Sequence, residues 1–276
     1  MGILLLIVGQ IIFIHATIWY IIALALKRND VADIAWGLGF FWVALYAALA
    51  MPVTPFNFLV YVFVGIWALR LSAHIGIRNY RKKQEDFRYR KWREEWGKTF
   101  LWRTYLQVFL LQGLFQIIIA APLLVAANSG HDFLAYLLMP SQPDAIFYGR
   151  YAEFTFITGS MVWITGFLFQ AIGDYQLARF AKTKQPGQII QTGLWRYSRH
   201  PNYFGEIVMW WGIWLMVGIL PYGLWAIVSP LTITFLLAKV SGVPMLEAKY
   251  KGNPAFEAYK KRTPALFPWF PKKEKA

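Results

Sequence analysis

The sequence predicts an all-α polytopic membrane protein with seven transmembrane helices, the N-terminus outside and the C-terminus cytoplasmic. Three observations lead there. Hydrophobic residues make up 58% of the 276 and charged residues only 15%, whereas a soluble domain is about half apolar and roughly a quarter charged. The apolar residues fall in long blocks, near the ~20 residues that a helix needs to cross a bilayer. All but two (Arg70 and Arg150) of the 28 Lys and Arg residues lie in segments that seven crossings would place on one side. By the positive-inside tendency that side is the cytoplasm.

The expected spans, in order, are 3–26, 32–51, 56–77, 102–127, 153–172, 203–220 and 222–240. The first has no basic start and no small-residue cleavage site, so it is expected to be a retained span rather than a signal peptide. Pro221 alone separates the last two, which predicts a tight helical hairpin. On the outer side, 52–55 reads as a short turn and 128–150 as a longer loop with a surface helix over 133–139. On the cytoplasmic side, the basic and aromatic run 85–93, which contains Arg88, reads either as an interfacial helix with snorkelling arginines or as a set of phosphate contacts. A further cytoplasmic helix is expected before Pro264.

Several function classes drop out. There are no cysteines, which excludes disulfides and thiolate sites. The four histidines (His15, His74, His131 and His200) show no paired spacing, so no metal site is expected. The net charge of +14 is carried by the loops of a membrane protein, so no nucleic-acid partner is expected. The expected partners are membrane lipids and a hydrophobic small molecule taken from the bilayer.

The stretch richest in chemistry is 193–206, which holds Tyr197, Arg199, His200, Asn202, Tyr203 and Glu206 beside a long apolar run. Pro201 suits the first turn of a helix, where its missing N–H costs nothing. The sixth span therefore starts there, with its positive dipole end toward the cytoplasm, a setting that favours a phosphate or carboxylate. Asn202 and Glu206 are four apart and share a face, and Glu206 lies a turn into the membrane, where it needs Arg, Tyr, Asn or a ligand as partner.

Other charged positions also ask for a reason. Asn29 or Asp30 is placed to cap the second span, while Asp33 is read either as a second cap or as a carboxylate facing a pocket. Arg70, His74 and Arg78 recur at intervals of four and line one helical face, read either as interfacial snorkelling for Arg78 with a satisfied bundle histidine, or as a polar wall around a ligand in which Arg78 would contact the cofactor. Gln107, Gln112 and Gln116 read as interhelical glue or as cavity lining. At the exit of the fifth span, Asp174 either caps the helix or binds a ribose or amide group, and Arg179, Lys182 and Lys184 follow as candidate phosphate contacts.

Taken together, Asp30-x-x-Asp33-x-x-Trp36-Gly37-x-Gly39-Phe40, Glu85-Asp86-Phe87-Arg88-Tyr89, Gly173-Asp174-Tyr175, the stretch 193–206, and Ser241-Gly242-Val243-Pro244 with Leu246-Glu247 resemble the DUF1295 family of bacterial membrane proteins. That family is related to the C-terminal region of steroid 5-alpha-reductases. The resemblance implies a single membrane domain, 1–276, in the bacterial cytoplasmic (inner) membrane. Within it, 1–128 would be a substrate side of four helices, and 153–276 a cofactor side of three helices plus tail. It implies NADP(H) entering from the cytoplasm, hydride delivery to the β-carbon of an enone, and protonation of the α-carbon. Asp174, Asn202 and Glu206 match cofactor contacts of the reductases, and Tyr197 matches the aromatic residue before their motif. Lys182 or Lys184 falls near a basic position. The Gln-Glu pair that grips the steroid ketone in the reductases has no match here, and Asp33 and His74 are the nearest stand-ins by role, as an acid–His pair able to polarise a carbonyl.

Arg199-His200-Pro201-x-Tyr203-x-Gly205 also resembles the motif of isoprenylcysteine and phospholipid methyltransferases, which bind S-adenosylmethionine, and Glu247 would match their C-terminal glutamate. Asp174-Tyr175, Asn202 and the arginine-rich loops favour NADPH, since S-adenosylmethionine carries no phosphate. A non-catalytic lipid-binding protein is the third alternative.

Overall fold

The computed structural model describes residues 1–82, 84–129, 143–185 and 187–272, with backbone alone for 143–150. The described chain is helical, with no strand among the described residues. It is made of α1 (Gly2–Leu26), α2 (Ala32–Ala50), α3 (Pro55–Arg81), α4 (Phe87–Trp96), α5 (Phe100–Arg103), α6 (Leu111–Ile119), α7 (Ala121–Asn128), α8 (Pro143–Thr183), α9 (Pro201–Val217), α10 (Val228–Phe235), α11 (Val243–Ala248) and α12 (Pro254–Arg262). A π-helical run, Thr104–Leu110, joins α5 to α6. The surface helix expected over 133–139 lies outside the described residues.

Five helical stretches are long and apolar enough to cross a membrane: Gly2–Leu26, Asn29–Ala50, Pro55–Arg81, Tyr151–Thr183 and Gly223–Ala248. A sixth is obtained if Phe87–Ile119 and Ala121–Asn128, bent by 45°, form one broken span. This is an integral membrane protein by its helices. The sixth expected crossing is α9, which has 17 residues. At ~1.5 Å per residue it reaches about 26 Å, short of a ~30 Å hydrocarbon core.

The chain divides into two compact units. The first comprises Met1–Arg150 and Leu220–Val228, and the second Tyr151–Ile219 and Ser229–Ala276. In the first unit α2 is central, because its small residues allow close neighbours. A Cβ on Gly37 would stand 2.7 Å from the Ala68 carbonyl oxygen, so α3 packs against backbone there. Three polar side chains from three helices then bond the α2 carbonyls. His15 Nε2 lies 3.0 Å from the Ala35 oxygen, Ser72 donates to Ile34 at 2.9 Å, and Gln116 donates to Trp36 at 2.8 Å. Gln116 is thus interhelical glue. At the other end, α3 starts with Pro55 after a capping box between Thr54 and Asn57.

The capping role expected of Asn29 or Asp30 does not form. Residues Asn29–Val31 make a 3-10 turn, and no side chain caps α2. Asp30 instead takes the Arg28 guanidinium at 2.8 Å and the Asp86 amide N–H at 3.2 Å. The arginine and the loop donor outcompete the helix end for one buried carboxylate. The basic run 85–93 does form a helix, α4, whose Asp86 N-cap accepts the Arg88 N–H. Tyr89 is buried with Ala16, Ala23, Val108 and Phe109, and the rings of Trp92 and Trp96 stack at 5.4 Å.

In the second unit, α8 and α9 meet along glycines spaced by seven. Gly159, Gly166 and Gly173 on α8 face Gly212, Gly205 and the start of α9. A Cβ on Gly166 would lie 2.6 Å from the Gly205 oxygen and 2.6 Å from the Met209 nitrogen, so the two backbones are in contact. Such small-residue seams let helices pack where lipid offers no hydrophobic drive. α8 also runs past the expected exit near 172 to Thr183. Residues 173–183 are mostly good helix formers, and no proline interrupts them before Pro186. Asp174 therefore lies inside a helix and caps nothing.

Candidate functional site

The polar groups singled out in the sequence fall into two clusters, one in each unit. The cluster in the second unit is built where α9 begins. Gly173 allows the close approach: a Cβ there would be 3.2 Å from the Asn202 nitrogen. Asn202, the second residue of α9, donates from Nδ2 to Asp174 Oδ1 at 3.0 Å. One turn deeper, Gln170 Nε2 donates to Glu206 Oε2 at 2.9 Å. Asp174 and Glu206 are both 6% exposed. Since Gln170 and Asp174 are four apart, as are Asn202 and Glu206, the two bonds form consecutive rungs between facing helices. Glu206 thus has an amide partner that was not among those expected. Gln170 was missed in the sequence, although its place four residues before Asp174 put it on the same face.

Beside these rungs, Arg199 and His200 converge on Glu247 of α11. Arg199 donates from Nε to Glu247 Oε1 at 2.8 Å, and from Nη1 to the carbonyls of Thr263 and Lys260. Its Nη2 also lies 2.8 Å from Glu247. His200 Nε2 is 3.1 Å from the same oxygen, and its ring stacks on Tyr203 at 5.6 Å. Arg199 is accordingly held by the protein on all sides of its guanidinium. The segment 254–272 completes this clasp. Pro264 accepts the Arg199 N–H at 3.0 Å, and Trp269 donates its N–H to the Tyr197 oxygen at 2.9 Å. The Tyr259 hydroxyl, buried, donates to the carbonyls of Trp195 and Ser198. Burial pushes the Tyr259 phenol up from its ordinary value, opposed by Arg199 and reinforced by Glu247. Tyr259, Lys260 and Thr263 lie in the cytoplasmic helix expected before Pro264, but their individual contacts were not legible, because each is a bond between a side chain and a backbone oxygen more than 60 residues away.

Arg179, Lys182 and Lys184 are exposed on and just beyond the last turns of α8. They have no ion pair among the described residues, and cations are favoured at a helix C-terminus. With a rise of ~1.5 Å per residue, Arg179 and Lys182 lie about 8 and 12 Å along the axis from Asp174.

The cluster in the first unit is centred on Asp33. Arg88 Nη2 donates to its Oδ2 at 2.5 Å and the Tyr89 hydroxyl to its Oδ1 at 2.8 Å, with Arg78 Nη2 at 3.9 Å. Arg88 also donates from Nε to Asp86 at 3.0 Å. Burial alone would raise the Asp86 carboxyl, but the Arg88 guanidinium and amide bring it below its ordinary value. Arg78 and Arg88 are therefore brought together at Asp33, while His74 sits half-buried on α3 one turn before Arg78.

Fold and clusters together define a polytopic helical membrane protein with an acid–amide ladder at the mouth of one helix and an arginine-bound carboxylate on another. The chain belongs to the DUF1295 family, a family of proteins of unknown function, which it matches over residues 19–263. Among curated proteins it is similar to 3-oxo-5-alpha-steroid 4-dehydrogenase 1 of Bos taurus, 40% identical over 58 residues, covering 21% of this chain and 23% of the relative. It is also similar to Steroid 5-alpha-reductase DET2 of Arabidopsis thaliana, 34% identical over 76 residues, covering 26% and 29%. The chain thus spans about a quarter of the length of the curated relatives it matches. No solved structure matches it.

Proposed function

We propose that this protein is a membrane reductase that uses NADPH to reduce a C=C bond conjugated to a carbonyl in a hydrophobic substrate drawn from the bilayer. The observation that carries this is the pair of rungs, Asp174–Asn202 and Gln170–Glu206, at the start of α9. Buried carboxylates held by amides, beside a helix N-terminus, suit the hydroxyl and amide groups of a dinucleotide. Unpaired cations suit its phosphates. The partial similarity to steroid reductases supports the same reaction class.

In this assignment Asp174, Asn202 and Glu206 orient the cofactor, with Tyr197 and Tyr203 beside them. Arg179, Lys182 and Lys184 take the phosphates as point charges. Arg199, His200 and Glu247 act one step back, fixing the turn that starts α9. When bound, NADPH supplies the hydride for the β-carbon of the enone. On the substrate side, His74 is assigned to the carbonyl oxygen, and Asp33 with Arg78 and Arg88 sets the field around it. Seven crossings, with the N-terminus outside and α9 completing the set, follow from the basic loops and belong to the same proposal.

The contact of Arg199 and His200 with Glu247 favours a second reading, an S-adenosylmethionine-dependent methyltransferase. Titration of the purified protein in detergent with NADPH, NADH and S-adenosylmethionine, followed by thermal stability, separates the two. The reductase assignment requires a shift with NADPH that is lost in Asn202→Ala. A shift with S-adenosylmethionine alone contradicts it.

A further inference from the structure

A second site lies in the first unit, on residues that the proposed reaction does not use. A cavity of about 390 Å³ is lined by Leu24, Lys27, Asn29, Arg93, Phe100 and Leu101. Volumes of about 300–1,000 Å³ are typical of small-molecule sites. Its polar wall is built rather than incidental. Arg93 stacks over the Phe100 ring at 4.2 Å and donates from Nη2 to Glu85 at 3.2 and 3.3 Å. Glu85 in turn accepts the Asn29 N–H at 2.7 Å. The Arg93 side chain is 42% exposed, and its Nε and Nη1 donors make no hydrogen bond among the described residues, so they are open to a ligand from outside. Asn29 is 3% exposed, and its Nδ2 has no hydrogen-bond partner among the described residues.

Lys27 supplies the uncompensated charge. It has no ion pair among the described residues, and it ends α1 in the left-handed region, at φ 55° and ψ 33°. Glycine or asparagine takes that conformation easily, whereas a lysine there is strained. Lys27 and Arg93 are the charged lining residues; with Glu85 bonded to Arg93, and with Arg28 and Asp30 pairing each other at 2.8 Å, the net charge around the cavity is +1. The rest of the lining is apolar and open: Leu24 and Leu101 are exposed, and Ile21 and Leu26 continue the exposed apolar surface of α1. On a membrane-spanning helix such a surface faces lipid.

From this geometry we infer that the cavity holds the headgroup of an anionic phospholipid, with a singly charged phosphodiester between Lys27 and Arg93 and acyl chains along Leu24 and Leu101. Charge and placement both match, since basic recesses between helices at the membrane surface take lipid phosphates. The open leucine wall separates this occupant from a water-soluble nucleotide or free phosphate, which would leave that wall bare.

The test uses the full chain in detergent with added phosphatidylglycerol, phosphatidylcholine, glycerol phosphate or NADPH, read by native mass spectrometry and thermal shift. Phosphatidylglycerol should bind and stabilise, while phosphatidylcholine and glycerol phosphate should not. Lys27→Gly relieves the left-handed strain, so it should fold with wild-type or higher stability, yet bind phosphatidylglycerol about fivefold more weakly. Arg93→Gln should weaken binding in the same direction. Equal binding of phosphatidylcholine and phosphatidylglycerol overturns the inference, as does unchanged affinity in Lys27→Gly. Displacement of phosphatidylglycerol by NADPH also overturns it, since the cavity would then belong to the cofactor.

Discussion

Gly166→Ala puts one methyl group into the tightest part of the α8–α9 seam. That methyl would lie 2.6 Å from two backbone atoms, the Gly205 oxygen and the Met209 nitrogen, whereas ordinary contact begins at 3.4 Å. Neither neighbour is a side chain that can turn away, so the helices must part by about 0.8 Å. Overpacking of this kind costs ~1–3 kcal/mol, which corresponds to a fall in Tm of roughly 2–12 °C for a chain of this size. The same separation would stretch the Gln170–Glu206 and Asn202–Asp174 bonds, at 2.9 and 3.0 Å, beyond hydrogen-bonding distance. NADPH affinity should therefore fall together with Tm. Gly65→Ala is the control: it also sits in a helix, but nothing lies within 4 Å of its Cβ. There the better helix propensity of alanine should be neutral or add up to ~1 kcal/mol. Melting in detergent with an NADPH titration on each variant reads both effects. If Gly166→Ala melts within 1 °C of wild type, or behaves like Gly65→Ala, the backbone seam is not what holds the ladder.

Three further outcomes are expected. Glu247→Ala leaves Arg199 and His200 without their shared carboxylate, and losing one partner of a buried pair costs ~3–5 kcal/mol; unfolding within 1 kcal/mol of wild type would contradict the clasp. Burial raises the Tyr259 phenol above its ordinary 10.0, so its contribution to stability is intact below pH 10 and is lost as pH rises toward the folded-state value. Tm should thus fall more steeply above pH 10 in wild type than in Tyr259→Phe, and parallel curves would count against it. Asp33→Asn removes the charge that Arg88 and Tyr89 bond and leaves the Arg88 side chain its Asp86 bond alone among the described residues, and charged hydrogen bonds of ~1.5–3 kcal/mol imply roughly 10- to 150-fold more opening of α4; unchanged tryptic cleavage at Arg88, Arg90 and Lys91 would refute the tie.

Much of the second unit was legible in the sequence, because its signals are local. Pro201 marked the start of α9, and the spacing of Asn202 and Glu206 put both on one face of it. Asp174 was found as a polar group, but its helix was cut short, since an apolar window ends near 172 while helix propensity carries on to Thr183. Gly173 and Gly205 counted in the sequence only as motif residues, and Gly159, Gly166 and Gly212 went unremarked, because a seam shows only when two helices are laid side by side. Likewise, nothing local says that Arg199 answers to Glu247 and to carbonyls of Lys260 and Thr263 more than 45 residues away. In the first unit, Asp30, expected as a helix cap, is taken by its near neighbour Arg28 and by the distant Asp86 N–H, and Asp33, read either as a second cap or as a carboxylate facing a pocket, is held by Arg88, 55 residues away. Seven spans were expected from apolar blocks alone, and α9, at 17 residues, is the one whose length separates a block from a crossing.

The most direct test of the central claim is an equilibrium titration of NADPH onto the purified full-length protein and onto Asn202→Ala, with Gly65→Ala as a folded control. Wild type and Gly65→Ala should bind with the same affinity, and Asn202→Ala should bind at least tenfold more weakly while melting normally. Equal NADPH affinity in wild type and Asn202→Ala, or no NADPH binding in any of the three, would contradict a cofactor site at the mouth of α9.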